Sequence, residues 1–250
     1  TPLGSTSEAV QVLPALTLEA FLELDYLIAE NARSARAVLS RLPISRTIRE
    51  IEIRELNLRT PAAGLAELLE PILAGRDAGL LSEAGCPAVA DPGAALVGLA
   101  HQRGIQVIPL IGPSSILLAL MASGMNGQRF AFVGYVPVPD SERADRLRAL
   151  ERRSAQEGET QILIETPYRN QALLNSILKT LSPDTRLAVA SELSLPGESI
   201  VQDSIAGWRE RSVELKKVPT VFVLQATQAA PGRQGQDRGR EKRRDRRKPT

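Results

Sequence analysis

One cysteine, Cys86, and one histidine, His101, are all that 250 residues offer of the two side chains most used for metal and thiol chemistry. A lone cysteine excludes an intrachain disulfide framework and suits a reducing, cytosolic compartment. One histidine and one cysteine cannot assemble a zinc site, so no metal is expected. They also provide no Cys–His pair to act as nucleophile and base. No apolar run approaches the roughly 18–20 residues that cross a bilayer, and no secretory signal is visible. A cytoplasmic protein without membrane contact is the expectation. Aromatic residues make up only 3% of the chain, and Trp208 is expected to anchor a core or an interface. No internal repeat is found.

What is present is a chain that can fold. With 43% hydrophobic residues it can bury a full core, and its length suits one or two domains. The net charge of +2 is unevenly spread. Residues 232–250 hold nine Arg/Lys and three Asp/Glu, a net of +6. The other 22 basic and 26 acidic residues leave the body at −4. The tail, 229–250, carries almost no apolar side chains and is expected to be disordered.

Hydrophobic periodicity alternates between strand and helix along the chain. Strands are predicted at 26–29, 49–54, 78–82, 105–111, 130–136, 161–165, 187–192, 199–203 and 220–225. Helices are predicted at 31–42, 65–73, 94–102, 114–122, 140–156, 171–181 and 205–216. Asp91-Pro92 reads as the start of the third helix, with Asp as its N-cap. Such alternation argues for an α/β fold. The spacing divides it into an N-terminal α/β domain over 1–112, a C-terminal one over 113–228, and the tail. The chain opens directly on a loop, so a first strand of the N-terminal domain is expected to be missing.

Two segments stand out. Ser82-Glu83-Ala84-Gly85-Cys86-Pro87 runs into Ala90-Asp91-Pro92-Gly93, and Ile111-Gly112-Pro113-Ser114-Ser115 follows. Each lies between an apolar run and an amphipathic one. In open α/β sheets ligands bind beyond the carboxyl ends of strands. Loops of small residues at those ends let a ligand touch main chain directly.

With Thr1-Pro2-Leu3-Gly4-Ser5, Ala29-Glu30-Asn31-Ala32-Arg33, Glu165–Arg169 and Ala190–Leu193, these segments resemble, in order, the motifs of the tetrapyrrole methylase superfamily. That superfamily comprises the class III S-adenosylmethionine-dependent methyltransferases. The resemblance is strongest to its ribosomal RNA branch and spans essentially residues 1–225. Asn31, Glu83, Cys86, Tyr168 and Ser191 depart from the family pattern, as expected of a divergent branch.

The resemblance implies two α/β domains with S-adenosylmethionine in the cleft between them, and a homodimer. It implies transfer of a methyl group to a ribose 2′-hydroxyl of small-subunit (16S) ribosomal RNA, so that the RNA or the small ribosomal subunit is the partner. Carried onto this chain, the donor is surrounded by Pro2, Ser82, Glu83, Ala84, Gly85, Pro87, Asp91, Gly112, Ser114, Ser115, Thr166, Ala190, Pro219 and Thr220. Methyl transfer to a hydroxyl needs alignment and a proton acceptor. Glu30, Glu165 and Glu192, at strand carboxyl ends, are the carboxylate candidates. Glu30, Arg169 and Glu192 form the expected catalytic set. Arg33 and Arg169 suit RNA phosphate, and Tyr168 suits a base. Two other functions remain open at this point: methylation of a small molecule such as a tetrapyrrole, and a non-catalytic RNA- or ribosome-binding role on the same scaffold.

Overall fold

The computed structural model describes residues 1–4, 9–44 and 46–228. Ser5 of the opening motif and the tail at 229–250 lie outside the described residues.

The described chain builds two sheets. The first is parallel, with strand order β2-β1-β3. It comprises β1 (Tyr26–Ala29), β2 (Glu52–Glu55) and β3 (Gly79–Leu81). Around it lie α1 (Ala9–Val12), α2 (Ala15–Glu23), α3 (Ala32–Leu39), α4 (Ala62–Leu73) and α5 (Ala94–Gln102). β1 is apolar on both faces because both are covered. Leu27 and Ala29 pack with Phe21, Ala35 and Leu39, while Tyr26 and Ile28 pack with Leu68, Leu69 and Leu96.

The second sheet is mixed, with order β4-β5-β8-β6-β7. Its strands are β4 (Phe130–Gly134), β5 (Thr160–Ile164), β6 (Arg186–Ser191), β7 (Ser199–Ser204) and β8 (Thr220–Gln225). β4 and β5 are parallel and the other pairs antiparallel. Its helices are α6 (Ser115–Ser123), α7 (Asp140–Glu157), α8 (Asn170–Thr180) and α9 (Ile205–Arg209). The period-two rule sorts β8 between two cores. Val221 and Val223 meet α6 through Ile116 and Leu120, while Phe222 and Leu224 meet Leu147, Leu173 and Trp208. Trp208 is 2% exposed and its indole N–H donates to the Leu187 carbonyl at 2.9 Å, as its expected anchoring role requires.

Three local expectations fail for identifiable reasons. Residues 105–111 form no strand. Pro109 removes a donor from the middle of the run, and β3, the near edge of the first sheet, makes no ladder with it. Val107, Ile108, Leu110 and Ile111 are therefore exposed. Asp91 does not cap α5: Gly93, at φ +140°, occupies that position and the helix starts at Ala94. The helix expected over 205–216 stops at Arg209. Beyond it Val213 and Leu215 alternate into the core, and Gln171 holds that stretch through Leu215 N–H at 2.7 Å.

Pro71 sits inside α4 without breaking it. A proline at 71 leaves the Glu67 carbonyl without its helical donor, and Arg54 Nη1 donates to that oxygen at 3.1 Å instead. Among the described residues, no helix is long and apolar enough to cross a membrane. No group of three or more His, Cys, Asp or Glu is placed to hold a metal ion among them either.

Candidate active site

A cleft of about 300 Å³ opens where loops from both sheets meet. That is near the lower end of the range for small-molecule sites. Its walls include the carboxyl ends of several strands. β3 runs into Ser82, which is buried and whose Oγ donates to the Gly85 carbonyl at 2.8 Å. The same carbonyl accepts from the Thr1 amine at 3.0 Å, and Gly85 N–H donates to the Thr1 carbonyl at 3.2 Å. Gly85 has φ +83°, the left-handed region. Ala88 and Ala90 also adopt positive φ (63° and 64°). Side chains rarely accept that backbone, and such strain concentrates at ligand sites.

The facing wall begins with Ser114, whose hydroxyl caps α6 by accepting from Leu117 N–H. Ser114, Ser115 and Ile116 line the cleft. From the second sheet come Glu165 after β5, Ala190 near the end of β6, Glu192 beyond it, and Pro219-Thr220 entering β8. The Glu165 side chain is 2% exposed, and its Oε1 accepts from Thr166 N–H at 2.6 Å and from Arg169 Nη2 at 2.7 Å and Nε at 3.0 Å. Glu192 sits at φ +51°, tied to Pro219 by its N–H at 3.0 Å. The hydroxyls of Ser191 and Thr220 bond at 2.9 Å across β6 and β8.

Of the residues singled out by sequence, Ala84, Gly85, Asp91, Ser114, Ser115, Ala190, Glu192, Pro219 and Thr220 line this cleft. Pro2, Ser82, Glu83, Pro87, Gly112 and Thr166 do not. Ser82 stands directly behind the wall, bonded to Gly85. Glu83 is exposed and accepts from Ser34 Oγ at 2.9 Å. Gly112 lies behind Cys86, whose Sγ is 4.0 Å from the Gly112 carbonyl. Arg33 and Tyr168 are exposed outside the cleft. Arg169 reaches it only through Glu165.

Glu30 is off the wall, but its carboxyl is pushed above the ordinary range by burial and then by the charges of Asp91 and Glu83. Asp91 is raised by burial and then by Glu83. The three carboxylates form one acidic patch on the rim. Sequence reasoning passed over Tyr135, Leu3 and Leu195, all on the wall. Tyr135 had a usable signal, because it stands at the carboxyl end of the run 130–136 predicted as a strand.

The walls fit S-adenosylmethionine by the chemistry of their donors. Ala84, Gly85, Ala90 and Ala190 are small enough to bring main chain to the wall, a hydroxyl comes from Ser115, and apolar surface comes from Leu3, Ile116, Ile164 and Leu193. A Cβ at Gly85 would stand 3.2 Å from Leu3 Cδ2 and 3.3 Å from the Pro113 carbonyl oxygen, so the cradle leaves it no room.

Comparison with known proteins agrees with this architecture. Residues 13–207 match the family described as Tetrapyrrole (Corrin/Porphyrin) Methylases. A protein of Pasteurella multocida named ribosomal RNA small subunit methyltransferase I is 32% identical, over 84% of this chain and 70% of its own length. One of the same name from Mesorhizobium japonicum is 35% identical over 78% of this chain and 62% of its own. The crystal structure of the methyltransferase CobJ superposes with a TM-score of 0.58 at 17% identity, covering 86% of this chain and 89% of that one, which is likeness of fold. The chain belongs to the tetrapyrrole methylase family and is an S-adenosylmethionine-dependent methyltransferase.

Proposed function

We propose that this enzyme methylates a ribose 2′-hydroxyl in small-subunit ribosomal RNA. The observation that carries the reading is kinship: 32% identity over 84% of the chain to a protein whose name states small-subunit ribosomal RNA methylation. The site supports it. When bound, the cofactor supplies a methyl group already activated on a sulfonium. The chain must align an acceptor oxygen with that methyl and take up the hydroxyl proton. Glu165 and Glu192 both line the cleft, and Arg169 fixes the orientation of Glu165. The new bond is oxygen to methyl carbon, and the bond broken is carbon to sulfur. The proton passes to a carboxylate and the thioether product departs.

Residues Ala84, Gly85, Ser114, Ala190, Pro219 and Thr220 hold the donor in this reading. Arg33 and the outer face of Arg169 meet phosphate, as does the tail with its net +6. A homodimer belongs to the same proposal. Ile108, Ile111, Leu117 and Met121 expose apolar surface for a second copy to cover. Sedimentation at a single chain mass would remove that part alone.

The deciding experiment offers isotope-labelled S-adenosylmethionine and small ribosomal subunits from a strain lacking this protein. The RNA is then digested and its nucleosides are read by mass spectrometry. A labelled 2′-O-methylnucleoside is the expected product. Donor binding without transfer would redirect the search to small-molecule acceptors, and label on a base would refute the ribose assignment.

A further inference from the structure

Only three tyrosines occur in the sequence. Tyr26 is fully buried, its hydroxyl donating to the Leu68 carbonyl at 2.8 Å. The other two are exposed, each beyond the carboxyl end of one of two neighbouring strands. Tyr135, 57% exposed, directly follows β4 and lines the cleft. Tyr168, 82% exposed, stands in the 3-10 turn Pro167–Arg169 after β5, beside the cleft-lining Pro167. β4 and β5 are parallel neighbours whose last paired residues are Gly134 and Leu163, so their carboxyl ends emerge side by side. Among the described residues, the ring contacts are made by Tyr26 and Trp208, and neither Tyr135 nor Tyr168 has a hydrogen-bonding partner.

Folding does not account for two bare rings, one on the cleft wall and one beside the cleft-lining Pro167. A large apolar face left in water contributes little to stability and is available to a ligand. We propose that Tyr135 and Tyr168 are a stacking platform that takes bases of the acceptor RNA and thereby sets the ribose over the cleft. The inference rests on the RNA reading above and goes beyond it by joining Tyr135 to Tyr168 as a two-ring platform. Three features favour a nucleic-acid base over an apolar partner. Both residues are tyrosines, whose phenol tip stays in water while the face stacks. Arg169, adjacent to Tyr168, presents a half-exposed guanidinium where a flanking phosphate would pass. Stacking on a ring tolerates any base, which fits a platform that positions while the cleft selects.

The test uses the full chain with Tyr135→Ala, Tyr168→Ala, the double variant, and Trp and Leu at each position. Surface substitutions of this kind leave folding nearly unchanged. Steady-state methyl transfer to small ribosomal subunits gives KM and kcat, calorimetry gives affinity for S-adenosylmethionine, and sedimentation gives assembly state. Each alanine should raise KM for subunits about five- to a hundredfold. Donor affinity should stay fixed in Tyr168→Ala, which lies off the cleft wall, Trp should restore KM, and Leu should not. Wild-type KM in the double variant overturns the platform, as does rescue by Leu equal to that by Trp. Loss of self-association in place of a KM effect would assign the rings to a protein contact and equally overturns it. If the wild-type enzyme leaves subunits unlabelled, the RNA reading fails and takes the platform with it. If the wild type is active and the variants match it, the platform alone fails.

Discussion

Gly85 is a cleft position where a single methyl group should be costly. Its φ of +83° lies where an L side chain meets its own backbone, a penalty of about 1–2 kcal/mol. The added Cβ would also crowd the Pro113 carbonyl oxygen at 3.3 Å, an atom fixed in the main chain, and Leu3 Cδ2 at 3.2 Å. The loop has two ways to respond to Gly85→Ala. If it keeps its shape, the strain is a loss of stability, and 1–2 kcal/mol in a chain of this size lowers Tm by about 2–8 °C. If it relaxes, the Gly85 carbonyl leaves the donors on Ser82 and Thr1, and the cleft wall moves. The same energy then appears as an about 5- to 30-fold weaker affinity for S-adenosylmethionine. Gly112→Ala is the control. A Cβ there meets only Leu13 Cδ2 at 3.9 Å, so both quantities should change by less than about 0.5 kcal/mol. Calorimetry and thermal melts on both variants decide the matter. A Gly85→Ala protein that matches wild type in both would refute the argument from backbone and cradle. Equal losses at Gly85 and Gly112 would show that the effect is not the one described.

Two further outcomes are expected. Burial and the charges of Asp91 and Glu83 raise the Glu30 carboxyl above its ordinary 4.5, so the folded protein holds that proton more tightly than the unfolded chain does. Ionising Glu30 therefore costs folded stability, a cost absent below about pH 4 and complete once the pH exceeds the raised value. Glu30→Gln should melt higher than wild type at pH 7 and coincide with it near pH 4. A difference independent of pH, or of the opposite sign, would contradict this. Deleting residues 232–250 should weaken binding to small subunits and reduce the slope of log affinity against log salt by several units, while donor affinity is unchanged. An unaltered slope would show that these nine basic residues touch no phosphate.

The elements of this fold were legible because its strands and helices carry different hydrophobic periods. Val221 to Leu224 alternate between two cores, and α7 shows a charged face. What sequence could not supply was pairing. The run 105–111 has a strand's composition, but a strand exists only with a neighbour, and Pro109 interrupts its donors. Likewise nothing local announces that Gln171 will bind the Leu215 N–H, or that Arg54 will satisfy the carbonyl freed by Pro71. The main-chain part of the site was read more fully than its side-chain part. Small residues at strand ends declare themselves in sequence, and Ala84, Gly85, Ser114 and Ala190 line one cleft. Long side chains can turn either way from a strand end. Glu30 and Glu192 were indistinguishable in sequence, yet only Glu192 reaches the cleft.

The five departures from the family motifs differ in where they point. Asn31 caps α3, its Oδ1 accepting from Arg33 N–H at 2.8 Å and Ser34 N–H at 3.2 Å. Glu83 turns outward to Ser34. Cys86 sets its Sγ 3.5 Å from the Pro113 carbonyl. Ser191 bonds Thr220 between two strands. Each of these four finds its partner within the chain. Tyr168 alone points into solvent without a partner among the described residues. A substitution that folding does not use is free to answer to whatever approaches from outside. Among the five, Tyr168 is therefore the one that folding leaves open to an incoming molecule.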